Sequence, residues 1–279
     1  TMAAMNGFLK KIPIIILEET SDHQNRSWKG NLLMKIFSKI ADKVIGVSQG
    51  VTEEYLKGKL HLPASKAITI NNGVALPRNV QAGEITEARK KWNISETDFV
   101  IGSTGRMNQD SHKRFSDLIK AFAEFSKDKE NVKLLLVGDG QEKAGYTQLA
   151  QDLKIEEKVI FAGYQSDVAL FYQLMDVFAL VSAREAFGLV LAEAMLNKLP
   201  VIATKVGGMK YIVDDKETGF LVEPMNVIEI IEKLEIVYHN PGLRQQMGKA
   251  GWEKASKEYT EEAYVERIDN LYKHLMNES

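Results

Sequence analysis

The sequence has no cysteine in its 279 residues and no long hydrophobic run. Without cysteine, disulfide bonds and thiol catalysis are excluded, and the composition is typical of a protein from a reducing compartment. A membrane-spanning helix needs roughly 18 or more consecutive apolar residues, and the apolar run Ile12–Leu17 is far shorter. The first residues also lack the apolar core and cleavage site of a signal peptide. We therefore expect a cytoplasmic protein.

The sequence also lacks an excess of either charge. It has 36 Lys and Arg against 38 Asp and Glu, for a formal net charge of −2. Nonspecific binding to nucleic acid depends on a strong basic excess, so a nucleic-acid partner is not expected. Residues 1–75 nevertheless hold ten basic and six acidic residues, a local net charge of +4. This region is predicted to face either an anionic acceptor or the inner face of a membrane, with a merely solvated face as the alternative.

Patterns typical of metal sites are missing as well. The five histidines do not show the spacing of metal ligands, and no Asp-x-Asp pair marks a metal-diphosphate site. We therefore predict no metal site and no required cofactor.

Apolar runs of strand length alternate with helical patterns along the whole chain. In the first part, strands are predicted at Ile12–Leu17, Asp42–Val47 and Ala67–Ile70, and helices at Thr1–Lys10, Gly30–Ala41 and Val51–Leu60. Ser48 is a predicted helix cap, and a polar loop is expected from Glu18 to Arg26. A doubly wound domain needs about five or six strands, so we expect the chain to begin inside its first domain.

The alternation continues after a linker at Val74–Ala82 and a short helix at Ile85–Trp92. Predicted strands are Phe99–Ser103, Val132–Val137, Val159–Phe161, Val177–Val181, Pro200–Ala203 and Phe220–Val222. Predicted helices are Phe115–Ser126, Glu142–Leu153, Val168–Met175, Leu189–Asn197, Val227–Tyr238, Gly242–Ser256 and Glu261–Met276. This order predicts an α/β fold with a parallel sheet covered by helices on both faces.

Two carboxylates near one predicted strand end are the main functional signal. Glu185 follows the apolar run Val177–Val181, and Glu193 lies in the helix that comes next. Ligands of open α/β sheets bind at the carboxyl ends of the strands, and a helix N-terminus there favours an anion such as phosphate. Because carboxylates repel phosphate, we expect these two to bond something else, and sugar hydroxyls fit. The alternative is that both are solvated surface residues.

The stretch from Glu185 to Pro224, EAFGLVLAEAMLNKLPVIATKVGGMKYIVDDKETGFLVEP, resembles the donor-site region of the family 4 retaining glycosyltransferases, which have the GT-B fold. Other matching segments follow the order of the family's pattern. They are Asn71-Asn72-Gly73-Val74, Gly105-Arg106 with Lys113, Val137-Gly138-Asp139-Gly140 and Phe161-Ala162-Gly163-Tyr164. The resemblance extends from about Ile12 to the C-terminus. It implies two doubly wound Rossmann-like domains, the first incomplete in this chain.

The resemblance also implies roles for these residues. Arg106 and Lys113 would grip the diphosphate and act with Glu185 as the catalytic residues. The loop before Lys113 is longer than usual, so Arg114 could share or take its role. Glu185 would bond the donor sugar, and Glu193 the ribose. The remaining donor-site residues would be Gly105, Gly138, Asp139, Gly163, Tyr164, Gln165, Phe187, Gly188 and Leu189, with His23 on the acceptor side.

The resemblance thus implies transfer of a hexose-type sugar from a nucleoside diphosphate, with UDP preferred, to a glycan, lipid or small-molecule acceptor. Cell-envelope or exopolysaccharide synthesis is the expected setting. Residues 1–76 would form part of the acceptor domain, residues 77–258 the donor domain, and residues 259–279 a helix crossing back to the first domain. A sugar-nucleotide epimerase, or a donor-binding fragment without activity, are the alternatives. A phosphorylase would need a pyridoxal lysine and a much longer chain.

Overall fold

The computed structural model describes residues 14–20, 26–108 and 112–278. Within these ranges the chain forms a three-stranded and a six-stranded parallel sheet. The strands are β1 (Ile16–Glu19), β2 (Lys43–Gly46), β3 (Ala67–Thr69), β4 (Phe99–Thr104), β5 (Val132–Val137), β6 (Val159–Gly163), β7 (Val177–Leu180), β8 (Val201–Thr204) and β9 (Gly219–Val222). The helices are α1 (Trp28–Ile40), α2 (Val51–Lys59), α3 (Ala82–Lys91), α4 (Phe115–Phe125), α5 (Lys143–Asp152), α6 (Val168–Tyr172), α7 (Leu189–Leu196), α8 (Met209–Ile212), α9 (Val227–His239), α10 (Pro241–Glu258) and α11 (Glu261–Glu278).

The first sheet has the order β1-β2-β3, and its first strand differs from the prediction. The strand begins at Ile16 and continues through Glu19, where a polar loop was expected. That part of the prediction is wrong because a distant cation compensates the buried carboxylate. Glu19 is only 6% exposed, and Arg26 Nη1 lies 2.9 Å from its Oε2. The predicted helix Thr1–Lys10 and the residues Ile12 and His23 lie outside the described residues.

Helix α2 begins where the sequence predicts. Ser48 Oγ accepts a hydrogen bond of 3.1 Å from the Val51 amide, so Ser48 satisfies one of the free N–H groups at the start of the helix. At the other end the amide of Leu60 donates to the carbonyl of Tyr55, five residues earlier, over 2.9 Å. The last turn is therefore wider than an α-helical turn.

The second sheet has the order β6-β5-β4-β7-β8-β9. The chain runs outward from β4 through β5 to β6, then returns to place β7 on the other side of β4. The strand order therefore reverses between β4 and β7, and such a point opens a crevice at the carboxyl ends of the strands. The six strands predicted for this part are confirmed, as is the α/β class. The four-residue helix α8 was not predicted.

Both faces of the second sheet are buried under helices. On one face Val100, Leu135 and Phe178 belong to a hydrophobic cluster that continues into the first sheet. On the other face the neighbouring residues Ile101 and Leu134 belong to a second cluster, packed against α4 and α9. Burial on both faces explains why these strands are continuous apolar runs rather than alternating ones.

The segment that joins the two sheets is held by the junction of α10 and α11. The Val74 amide donates to the Tyr259 carbonyl over 2.8 Å, and the Glu261 amide donates to the Val74 carbonyl over 3.1 Å. Gly73 has no space for a side chain, since a Cβ there would lie 2.7 Å from the Thr260 carbonyl oxygen. These contacts fix the position of one sheet relative to the other. None of the described helices is long and apolar enough to cross a membrane.

Candidate active site

A cavity of about 510 Å³ lies at the point where the strand order reverses. Residues after β4 and β7 form most of its wall, and residues from the first sheet close one side. The lining residues are Thr20, Asn72, Gly105, Arg106, His112, Lys113, Arg184, Glu185, Ala186, Phe187, Gly188, Leu189 and Val190. The three residues predicted to be catalytic are therefore together in one cavity.

An ion pair connects the two loops of this cavity. Lys113 Nζ lies 2.7 Å from Glu185 Oε2, and the two side chains are 16% and 20% exposed. The loop after β4 supplies the cation and the loop after β7 supplies the carboxylate. A lysine held in this way can turn to an anionic ligand, and the carboxylate is then free to accept hydrogen bonds from hydroxyl groups.

Arg106 and Arg114 have different environments. Arg106 is exposed in the cavity wall and forms no hydrogen bond or ion pair with another described residue. Arg114 binds Asp117 through two hydrogen bonds of 2.7 and 2.9 Å, made by Nε and Nη2. Lys113 rather than Arg114 therefore lines the cavity, and Arg106 is available to a ligand.

The loop that carries Glu185 rests on two glycines after β8. The Gly208 amide donates to the Glu185 carbonyl over 3.1 Å. Gly207 has φ +47°, and a Cβ at this position would lie 1.9 Å from the same carbonyl oxygen. From the first sheet, the hydroxyl of Ser48 donates to the Ala186 carbonyl over 2.5 Å. Contacts from both sheets thus fix the position of the carboxylate.

Helix α7 starts directly after this loop. Gly188 has φ +107° and precedes the first helical residue, so a residue with a side chain would be strained there. The first backbone hydrogen bond of the helix is donated by the Leu191 amide to the Gly188 carbonyl. The amides of Leu189 and Val190 come before this bond. Free amides at a helix N-terminus favour an anion. Phe187, predicted to offer its backbone amide, lies in the cavity wall, and its ring packs edge-on against Tyr259 at 5.7 Å between centroids.

Glu193 lies in the wall of a second cavity, of about 330 Å³, bounded by residues 75–78 and 166–169. The hydroxyl of Tyr172 donates to Glu193 Oε2 over 2.7 Å and lies 3.2 Å from Thr104 Oγ1. Burial, followed by the charge of Glu193, raises the pKa of Tyr172 well above its usual value of 10.0. Tyr172 therefore remains a hydrogen-bond donor to the carboxylate at neutral pH.

The glycines predicted for the donor site lie at the ends of three adjacent strands. Gly138 has φ +145°, and a Cβ there would lie 1.9 Å from the Gly105 carbonyl oxygen. The Gly138 amide donates to the Gly163 carbonyl over 2.8 Å. Asp139 accepts a 2.8 Å hydrogen bond from the Gly140 amide, and this bond contributes most to lowering the pKa of Asp139. Glycine at position 138 thus lets the ends of these three strands pack closely, and of the three glycines Gly105 lines the first cavity.

Tyr164 and Gln165 follow β6, the edge strand nearest to these glycines. The Tyr164 side chain is 77% exposed. The amide of the Gln165 side chain donates to the Ala162 carbonyl over 2.6 Å. Tyr164 is thus available for stacking, whereas the Gln165 side chain already has a local partner. His23, which was predicted on the acceptor side, lies outside the described residues.

Comparison with known proteins identifies the family. The profile of the family described as "Glycosyl transferases group 1" matches residues 84–254. The chain belongs to this family. The fold is that of GT-B glycosyltransferases: Anabaena HepE, solved with UDP and glucose, superposes with a TM-score of 0.85 at 22% identity, covering 97% of this chain and 74% of that one. A sucrose-phosphate synthase from Thermosynechococcus elongatus gives a TM-score of 0.82 at 25% identity, covering 99% of this chain and 72% of that one.

Curated relatives of this group 1 chain include a synthase and a capsular polysaccharide glycosyltransferase. N-acetyl-alpha-D-glucosaminyl L-malate synthase of Bacillus anthracis is 32% identical over 189 residues, 68% of this chain and 49% of that protein. The capsular polysaccharide biosynthesis glycosyltransferase CapM of Staphylococcus aureus is 28% identical over 258 residues, 89% of this chain and 66% of that protein. The chain thus spans about half to two thirds of the length of these two relatives.

Six residues that line this glycosyltransferase cavity were not predicted as site residues: Thr20, Asn72, His112, Arg184, Ala186 and Val190. Arg184 Nη2 is hydrogen-bonded to His112 Nε2. His112 directly precedes Lys113 and Arg184 directly precedes Glu185, and this adjacency was the available signal in the sequence. A sequence pattern does not show, however, in which direction the side chain next to a site residue points. Across the described ranges, no cluster of three or more His, Cys, Asp or Glu residues could hold a metal ion.

Proposed function

We propose that the protein is a retaining hexosyltransferase that binds a UDP-sugar in the crevice between β4 and β7. The observation that carries the proposal is the meeting of Arg106, Lys113 and Glu185 at the free amides of α7, inside one cavity. Cations and helix amides suit a diphosphate, and a carboxylate beside them suits sugar hydroxyls. The presence of UDP and glucose in the Anabaena HepE structure supports this choice of donor.

Arg106 and Lys113 would bind the diphosphate. Charge builds on the departing phosphate as the bond to the sugar breaks, so both cations would stabilise the transition state more than the ground state. Lys113 would leave Glu185 for the phosphate as the donor binds. The amides of Gly188 and Leu189 would complete the phosphate site.

Glu185, once released from Lys113, would accept hydrogen bonds from hydroxyls of the donor sugar. Glu193 would bond the ribose, with Tyr172 holding its carboxylate in place. The backbone of Gly105, Gly138 and Gly163 would lie close to the nucleotide, and Tyr164 would stack on the base. The nucleotide would therefore extend from the first cavity towards the second.

The reaction would proceed with retention, by attack of the acceptor on the same face from which the diphosphate departs. The leaving phosphate would help to deprotonate the acceptor. The acceptor would enter from the side of Thr20 and Asn72. The name of the relative CapM supports a role in capsule or other cell-envelope synthesis. Residues 77–258 would form the donor domain.

Product analysis without an added acceptor tests the reaction type. The protein is incubated with UDP-glucose, UDP-galactose and UDP-N-acetylglucosamine, and the products are followed by ¹H NMR. We expect water to take the place of the acceptor, so that UDP is released together with the free sugar as its α-anomer. Conversion of one UDP-sugar into another without release of UDP would instead identify an epimerase.

We also propose that α1 contacts an anionic membrane surface. Trp28, Leu32 and Ile36 are exposed and lie four residues apart, on one face of the helix. Lys35 and Lys39 are exposed on the same side. Aromatic and aliphatic side chains beside lysines are typical of helices that lie in a lipid interface.

Vesicle cosedimentation tests this contact. We expect binding to vesicles that contain phosphatidylglycerol at low salt, weakened at high salt and in the variant Trp28→Ala. Trp252, which is half-exposed on α10, provides the matched control Trp252→Ala. Absence of binding to anionic vesicles at low salt, or equal loss in both variants, would contradict the proposal.

A further inference from the structure

Arg184 is a cation of the donor cavity to which the proposed function gives no task. It directly precedes Glu185 in the loop after β7 and lines the same cavity. Its guanidinium is hydrogen-bonded to Nε2 of His112. Because an arginine can only donate, Nε2 accepts this hydrogen bond, and an imidazole carries no negative charge to balance the guanidinium.

The partner of Arg184 therefore leaves its charge uncompensated. The two cations that directly follow His112 in the sequence have carboxylate partners: Lys113 binds Glu185, and Arg114 binds Asp117. Arg184 has no carboxylate partner within the part of the chain that the structure describes. A half-buried guanidinium without a counter-ion favours an anionic ligand.

The backbone fixes the position of the arginine before any ligand binds. The Ala183 amide donates to the His112 carbonyl over 2.8 Å, which joins the loop after β7 to the loop after β4. His112 has φ +54°, a conformation maintained by the surrounding structure. Arg184 is thus held by a backbone contact and a side-chain contact from the same residue.

Arg184 lies on a different loop from the two cations proposed to bind the diphosphate, and its guanidinium reaches across to His112. Arg106 and Lys113 lie on the loop after β4, as expected for the phosphate site, whereas Arg184 lies with Glu185 on the loop after β7. Glu185 is the residue proposed to bind the sugar. An anion at Arg184 would therefore belong to the sugar or to the acceptor that attacks it.

We propose that Arg184, oriented by His112, binds a carboxylate of a substrate. A planar guanidinium can donate two parallel hydrogen bonds to a carboxylate, which selects it over a neutral hydroxyl group. The carboxylate belongs either to a uronic acid in the donor or to an acidic acceptor. This inference rests on the proposed function, because it takes the cavity to be the site of sugar transfer.

Calorimetric titration separates the two sources. In the donor arm, the dissociation constants of UDP-glucuronic acid and UDP-glucose are compared. In the acceptor arm, L-malate and glycerol are each titrated into protein saturated with UDP. The variants are Arg184→Met and the matched control Lys120→Met, which removes an exposed cation from α4.

We expect the acid to bind about 10- to 100-fold more tightly than its neutral counterpart in one arm. This preference should be lost in Arg184→Met and kept in Lys120→Met, while the affinity for UDP changes less than about threefold. The proposal is overturned if neither acid is preferred by the unmodified protein, or if the preference persists in Arg184→Met. A large loss of UDP affinity in Arg184→Met would also overturn it, because the arginine would then serve the phosphates. Failure of the unmodified protein to bind UDP at all would refute the proposed function itself.

Discussion

Replacing Glu185 by glutamine changes one charge at the centre of the proposed mechanism. Glutamine keeps the size of the side chain and can still accept a hydrogen bond from Lys113, now 2.7 Å away. It removes the negative charge that neutralises the lysine before a donor binds. The substitution therefore separates the role of Glu185 in sugar binding from its role as a counter-ion.

The magnitudes follow from the exposure of the pair. At 16% and 20% exposure the ion pair is neither at the surface nor fully buried, so its loss should cost about 1 kcal/mol of the free energy of unfolding. Lys113 would be easier to transfer to a phosphate, so UDP should bind equally well or up to about fivefold more tightly. Loss of one transition-state contact should lower turnover by a factor of about 10 to 1000.

Calorimetry with UDP and a coupled assay for UDP release measure the two effects separately. The matched control is Glu232→Gln, which makes the same chemical change at an exposed residue of α9 and should alter neither quantity. A collapse of UDP affinity in Glu185→Gln, with turnover unchanged at saturating donor, would refute the assignment of Glu185 to the sugar.

Three further predictions concern the surroundings of the site. Gly207→Ala should destabilise the protein by about 2–4 kcal/mol and slow turnover, since its Cβ would collide with the Glu185 carbonyl; chemical denaturation should show no such loss for Gly242→Ala, where nothing lies within 4 Å of a Cβ. Glu193→Ala should weaken UDP binding by about 1–3 kcal/mol, and unchanged affinity would disprove the ribose contact. Burial raises the pKa of Tyr172 and Tyr259 in the folded state, so their contribution to stability is complete below pH 10 and lost as the unfolded tyrosines ionise above it. Denaturation curves measured from pH 8 to 11 should show this decline in the free energy of unfolding, and the decline should be smaller in Tyr172→Phe. Equal dependence of the free energy of unfolding on pH in both proteins would contradict the prediction.

The strands of the second sheet could be predicted because each is buried on both faces. The run Val177–Val181 is apolar throughout and is bounded by the polar residues Asp176 and Ser182. Once those strands alternate with helices, the parallel sheet and its crevice follow from general rules of chain topology. The grouping of Arg106, Lys113 and Glu185 could therefore be expected before their contacts were known.

Features that depend on distant partners could not be predicted. Strand β1 extends through Glu19 because Arg26 compensates its charge. The contact between His112 and Arg184 joins residues 72 positions apart, and only the order of the strands brings them together. Glu193 lies on a side of α7 that faces a different cavity from the one that Glu185 lines. In that position its carboxylate accepts a hydrogen bond from the Tyr172 hydroxyl. Each of these contacts lies between elements that local sequence patterns do not relate.

Selective binding of UDP is the most direct test of the account. Thermal unfolding is measured with UDP, ADP, GDP and CMP, using the unmodified protein and Arg106→Met. The account predicts stabilisation by UDP of roughly 2.7 kcal/mol at 100 times its dissociation constant, with a much smaller effect in Arg106→Met at the same UDP concentration. No stabilisation by any nucleotide, or the same stabilisation in both proteins, would contradict the claim that this crevice binds the diphosphate of a UDP-sugar.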